Sequence, residues 1–139
     1  MKAARWLLGA LLIGSAFAAS SGQEPAELRL FDFLDKPAYR ASWNALFRGE
    51  KNVDPWLARY AKTRNGPSSP GEIVELGGVP YQTANVCKAH DCGDNQFHVL
   101  FAPKGARAWG LLLTDLKKER FFGKPDEEKK DALREAAQK

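Results

Sequence analysis

Apolar and polar positions repeat in two different ways along this chain, and the change falls near residue 65. Tyr39, Trp43, Leu46 and Phe47 are spaced by four, three and one, which places them on one stripe of a helix. Pro37 suits the first turn of that helix and Gly49 ends it. Just ahead, residues 28–34 are rich in apolar side chains and predict a short helix. Asp54-Pro55-Trp56 reads as an N-cap followed by proline at the first helical position, opening a short helix through Tyr60. Trp56 and Tyr60 then lie one turn apart. Residues 65–71 hold two prolines, two glycines and two serines, and predict a surface loop.

Beyond that loop the period falls to two. Ile73, Val74 and Leu76 precede Gly77-Gly78, a hairpin signal, and residues 79–86 supply the return strand. Residues 96–102 alternate, with Phe97, Val99 and Phe101 on one face; His98 falls on the other and reads as a surface or strand histidine. Residues 106–114 put Trp109, Leu111 and Leu113 on one face, and Pro103-Lys104-Gly105 is the short turn between these two runs. Arg120-Phe121-Phe122 suggests a further short strand. Residues 126–138 are helical by composition, with Asp126, Glu127 and Glu128 in the first turn, where the helix dipole favours negative charge. The apolar stripe of this last helix (Ala132, Leu133, Ala136, Ala137) is thin, and weak packing or fraying is expected. Helices, then antiparallel strands, then a helix, make an α+β fold: an antiparallel meander of about five strands with short helices packed on one face.

The start of the chain has a different character. Lys2 and Arg5 are followed by an apolar run from residue 6 to 13 and by the small-x-small Ala16-Phe17-Ala18. This is the form of a secretory signal peptide, residues 1–18, ahead of one domain at 19–139. The run is shorter than the roughly 20 apolar residues of a spanning helix, so no membrane association is expected once the signal is removed. No cysteine sits near Ala18, so there is no lipid attachment point. At 139 residues and 44% hydrophobic, the chain is too short for a (β/α)8 barrel and too apolar for a disordered protein. The formal net charge of +4 loses two when Lys2 and Arg5 are removed. No long Lys/Arg run or basic stripe remains, which argues against a nucleic-acid partner.

The chemistry concentrates between the second and third predicted strands, in Val86-Cys87-Lys88-Ala89-His90-Asp91-Cys92-Gly93-Asp94-Asn95. Export puts Cys87 and Cys92 in an oxidising compartment, where a disulfide is the default. Such a bridge closes a loop of only Lys88, Ala89, His90 and Asp91, and the small loop turns His90 and Asp91 outward. Several readings are open. A redox dithiol normally uses Cys-x-x-Cys near a helix start, unlike the spacing here. Cys87, His90, Cys92 and His98 are zinc-type ligands, but their spacing matches no standard finger and oxidation removes the thiolates. A Cys/His nucleophile pair needs a free thiol. A purely structural staple and a preorganised binding loop complete the set; in the latter the bridge lowers the entropy lost when a partner orders the loop. Trp43, Trp56 and Trp109 read as core, and Glu72 and Glu75 flank strand residues with no cleft between them to make a hydrolase pair.

Cys-Lys-x-His-Asp-Cys, followed by glycine and a strand, resembles the signature loop of the inhibitors of vertebrate lysozyme, the Ivy family. The Val79-Pro80-Tyr81 and Trp109-Gly110-Leu111 strands, the Trp43-Asn44 helix and Pro55-Trp56 are similar in kind, so the likeness covers most of residues 28–114, specific at the loop and diffuse elsewhere. The resemblance implies a non-enzymatic periplasmic protein of Gram-negative bacteria that needs no cofactor or metal. It implies a five-stranded antiparallel sheet, often in a homodimer, and a protruding loop that enters the cleft of a C-type lysozyme. It assigns the loop to Cys87, Lys88, Ala89, His90, Asp91 and Cys92, with His90 and Asp91 as the main contacts. A retaining muramidase holds two carboxyl groups only about 5–5.5 Å apart. An imidazole offers ring nitrogens on opposite sides, and His90 could hydrogen-bond both. Asp91 would accept hydrogen bonds from the cleft rim, and Lys88 would sit at the loop's shoulder. The family's loop commonly has proline where this chain has Ala89. Two alternatives stand beside this reading: a modulator of the bacterium's own lytic transglycosylases, and a small periplasmic metal-binding protein using His90, His98 and the thiols.

Overall fold

The computed structural model describes residues 27–139; the expected signal peptide at 1–18 lies outside the described residues. Two short helices come first, α1 (Leu30–Leu34) and α2 (Pro37–Phe47), and proline opens the second. The expected helix through Tyr60 divides into α3 (Pro55–Ala58) and α4 (Tyr60–Thr63), because Arg59 caps one and starts the other. Asp54 accepts the Trp56 N–H at 3.3 Å, the N-cap anticipated from its place before proline. Five strands follow: β1 (Ile73–Leu76), β2 (Val79–Cys87), β3 (Asn95–Phe101), β4 (Ala108–Thr114) and β5 (Lys118–Phe122). They form one antiparallel sheet in sequence order, the meander expected. Helix α5 (Glu127–Ala136) ends the chain, its Asp126 side chain accepting the Lys129 N–H at 3.0 Å. No helix among the described residues is long and apolar enough to cross a membrane.

The sheet is buried on both faces. On one, Phe97, Val99, Phe101 and Leu112 pack under α1–α4 with Leu30, Phe33, Leu34, Trp43, Leu46, Leu57 and Tyr60. Phe97 is the hub: Trp43, Phe47 and Phe122 lie around its ring at centroid distances of 5.3, 5.7 and 5.8 Å. Its ring occupies the space above Gly110, where a Cβ would stand 2.2 Å from Phe97 Cζ. On the other face, Leu100, Trp109 and Leu111 pack against Ala132 and Leu133 of α5. Helices over one face therefore describes α1–α4, and the fifth helix covers the opposite side.

Two expectations change as a result. The C-terminal helix does not fray: Leu133 is fully buried, and Lys129 stands 4.9 Å from the Trp109 ring centroid. Arg134 chelates the Glu119 carboxylate at 2.8 and 3.1 Å. The aromatic side chains of the sheet supply the apolar surface that the helix lacks, and long basic side chains lie over them. His98, expected at the surface, is only 8% exposed, because the chain returns over its face. Burial pushes its imidazole down from 6.5 to about 4.

Both features give measurable outcomes. Gly110→Ala forces the Phe97 ring from its place and is expected to destabilise the fold by about 1–3 kcal/mol, read from the urea midpoint. His98 is neutral when folded and binds a proton more readily when unfolded, so its contribution is complete above pH 6.5 and is lost as pH falls toward 4. The full shift corresponds to about 3 kcal/mol. Glu119 and Asp126, held low by hydrogen bonds from Arg134 and Lys129, act only at and below the ordinary carboxylate range. Denaturant midpoints between pH 4.5 and 6.5 should therefore fall with acid in the wild type and flatten in His98→Gln.

Candidate functional site

The segment between β2 and β3 is built as a closed turn on a fixed base. Cys87 ends β2 and is bonded to Cys92, with Cα atoms 4.9 Å apart. The Lys88 N–H donates to the Asn95 carbonyl at 3.0 Å, extending the ladder one residue. The Asp91 N–H then donates to the Lys88 carbonyl at 3.0 Å and closes a β-turn over Ala89 and His90. His90 has φ +65° while Ala89 keeps a negative φ, the signature of a type II turn. Its third position requires a positive φ, so a non-glycine there is held at a cost of order 1 kcal/mol. His90 is exposed at the apex.

The descending limb is braced from inside. The Asp91 carbonyl accepts the Asn95 N–H at 3.1 Å, and Asp91 Oδ2 accepts Asn95 Nδ2 at 2.9 Å. Gln96 Nε2 donates to the Cys92 carbonyl at 3.1 Å, and Gln96 Oε1 lies 3.3 Å from His98 Nε2. A hydrogen-bonded chain thus runs from the buried histidine to the disulfide loop. The base is buttressed from outside as well. The Cys87 N–H donates to the Pro67 carbonyl at 3.0 Å, and Gly66 packs so closely that a Cβ there would stand 2.4 Å from the Cys87 carbonyl oxygen. Lys88 Nζ lies 3.9 Å from Asp54 Oδ2, beside a recess of about 280 Å³ lined by Trp56, Arg59, Lys88 and Ala89.

Cys87, Lys88, Ala89, His90, Asp91 and Cys92 therefore form one turn with His90 outermost. Asp91 differs from the expectation: its carboxylate turns back onto Asn95 and is half buried instead of facing outward. With both sulfurs in one bond, neither is a thiolate ligand or nucleophile. His98 sits under the α5 side of the sheet, not beside His90, and no three His, Cys, Asp or Glu side chains among the described residues gather as a metal site. Gln96 and Gly66-Pro67 carried no chemical signal in the sequence; their part comes from register and loop path. The pairing of Cys87 with Gln96 across β2 and β3 is what brings the Gln96 amide to the loop.

The model of a known family, Inhibitor of vertebrate lysozyme (Ivy), matches residues 38–139. The chain belongs to this family. Among its relatives is the Inhibitor of vertebrate lysozyme of Pseudomonas aeruginosa, 40% identical over 108 residues, which are 78% of this chain and 68% of that protein. An uncharacterised protein of Yersinia pestis is 32% identical over 94 residues. The Inhibitor of vertebrate lysozyme of Escherichia coli K12 is 27% identical over 96 residues. The matched segments span 68% of this chain but 58% of the Yersinia protein, and 69% of this chain but 57% of the Escherichia protein.

The turn geometry gives a physical reading of position 89, where Ala89 departs from the proline that the resemblance implies. It is the second residue of a type II turn, the place where a φ near −65° is wanted and proline is favoured. The Ala89 N–H donates no backbone hydrogen bond that a proline would remove. Ala89→Pro is accordingly expected to stabilise the protein by about 0.4–1 kcal/mol through a less flexible unfolded chain. Thermal unfolding should show a higher Tm, and a lower one would mean that the turn is not of this type.

Proposed function

We propose that this protein is a non-enzymatic inhibitor of a C-type lysozyme, exported to the periplasm by residues 1–18, and that it acts by inserting the 87–92 loop with His90 at its tip. The observation that carries this reading is the exposed imidazole at φ +65° on the apex of a disulfide-closed turn. Left-handed backbone at a histidine is kept where the surroundings over-determine it, which is a common property of contact sites. A loop ordered beforehand by a covalent bridge and internal hydrogen bonds loses less freedom on docking. The names borne by the relatives support the choice of partner.

The mechanism follows from the shape of the target. A muramidase cleft has a carboxylic acid and a carboxylate about 5–5.5 Å apart, one neutral and one ionised. An imidazole inserted between them meets one with each ring nitrogen and occupies the position of the scissile bond. Asp91, through its bond to Asn95, holds the descending limb of the turn, and Lys88 stands at the shoulder beside Asp54.

The test is lysis of bacterial cell walls by chicken egg-white lysozyme in the presence of the wild type and of His90→Asn. Asparagine accepts the left-handed conformation, so the turn survives while the ring is lost. The variant is expected to keep the wild-type Tm and to inhibit roughly 30-fold or more weakly, as for an interface hot spot. Equal inhibition by both proteins would remove His90 from the mechanism. No inhibition by the wild type would remove lysozyme as the target, and a purified lytic transglycosylase, whose cleft also holds an acid, is then the enzyme to assay.

A further inference from the structure

The loop does not stand alone at its end of the sheet. The turn between β4 and β5 lies beside it, tied to it by a hydrogen bond from the Asp115 N–H to the Asp94 carbonyl at 2.8 Å. In this turn Asp115 and Leu116 have φ +55° and +56°, and the Lys117 N–H donates to the Thr114 carbonyl at 3.2 Å. Both central residues are left-handed as in a type I′ turn, where the pair is normally Asn-Gly or Asp-Gly, and the pairing of Thr114 with Lys118 makes the connection three residues long. Leu116 stands where glycine belongs. Seven non-glycine residues among those described have positive φ, and Leu116 alone of them carries an apolar side chain. A bulky residue in this conformation is an outlier. Its side chain brings no compensation in folding: it is 57% exposed and joins neither apolar core. It adjoins a groove of about 610 Å³ lined in part by Leu111, Leu113 and Ala137.

We infer that Leu116 is a second anchor for the enzyme whose cleft receives His90, packing on an apolar part of the cleft rim. The inference rests on the inhibitory reading above. Interface size is the further argument for this occupant. A standard interface takes roughly 800 Å² from each partner, a patch on the order of 30 Å across. Residues 87–92 are a small part of such a patch. The β4–β5 turn is displaced from the loop by two inter-strand spacings, about 10 Å, and falls inside the footprint of any partner centred on His90. Ile73 and Val79, the other exposed large apolar residues, lie on the edge hairpin in unstrained strand conformation, with no bond to the loop. Strain without packing at Leu116, next to the proposed contact, marks a side chain kept for a partner.

The experiment measures lysozyme inhibition constants and Tm for wild type, His90→Asn, Leu116→Gly, Leu116→Asn and Leu116→Met. Glycine and asparagine relieve the left-handed strain. Both variants are expected to keep or raise the wild-type Tm while inhibition weakens about ten-fold, and Leu116→Met should inhibit within about three-fold of wild type. A residue with a merely structural part would not separate stability from inhibition in this direction. Inhibition unchanged in Leu116→Gly and Leu116→Asn, with His90→Asn impaired, would overturn the second anchor and leave the loop reading standing. A shift in oligomeric state on size-exclusion chromatography with inhibition unchanged would overturn it too, since the face would then meet a second copy of the chain. Failure of the wild type to inhibit would bring down lysozyme as the partner of both His90 and Leu116.

Discussion

From Phe97 to Phe101, strand β3 meets water on neither face, and the rest of the architecture answers that constraint. Phe97, Val99 and Phe101 are fully buried on one side, and His98 and Leu100 are buried on the other. A strand of this kind needs a neighbour at each edge and a layer above and below. The meander provides the neighbours, the helices of the N-terminal half provide one layer, and α5 provides the second. The tightest point is the Phe97 ring over Gly110, where packing admits no side chain. Phe97 is two residues from the start of β3, and the disulfide loop joins there. The loop is therefore attached to one of the least deformable parts of the molecule.

From that base outward, order is supplied by progressively shorter-range interactions. The sheet register brings Gln96 opposite Cys87, and its side chain reaches the Cys92 carbonyl. The disulfide closes the ring, Asp91 and Asn95 brace it, and the apex is one β-turn. Each layer restricts the next, so His90 is held in a backbone conformation it would seldom adopt in a free peptide. This is the arrangement that favours tight docking: the freedom lost on binding has already been removed by folding.

The strands and their turns were legible because their signals are local. Period-two alternation around Phe97-Val99-Phe101 and Gly77-Gly78 at the hairpin identify elements without knowledge of the fold. The loop was legible for the same reason, since its cysteines, histidine and aspartate are contiguous. What could not be read depends on where distant segments meet. Residues 126–138 offer few apolar positions of their own; α5 is a packed helix because Ala132 and Leu133 meet Leu100, Trp109 and Leu111, and because Lys129, Lys130 and Arg134 lie over the Trp109, Tyr81 and Phe121 rings. His98 reads as a surface position because nothing in its own strand shows that α5 covers the opposite face. Asp91 looked outward because its partner Asn95 is across the turn. Thr114-Asp115-Leu116-Lys117 contains no glycine, so nothing in it announced a left-handed pair.

The two buried faces of the sheet and the turns at its loop end consequently do different work. The aromatic hub around Phe97 and the Trp109–Leu133 cluster carry burial, which dominates stability. The adjacent turns at the loop end hold His90, Asp115 and Leu116 in left-handed backbone, and each is a cost that the cores must offset. Such strain persists only on a scaffold that is already rigid, so the loop end presupposes the two-sided burial of β3. The dependence does not run the other way. Side chains at the turn apices contribute no packing to either core, so their chemistry can change with the partner while the sheet beneath stays the same.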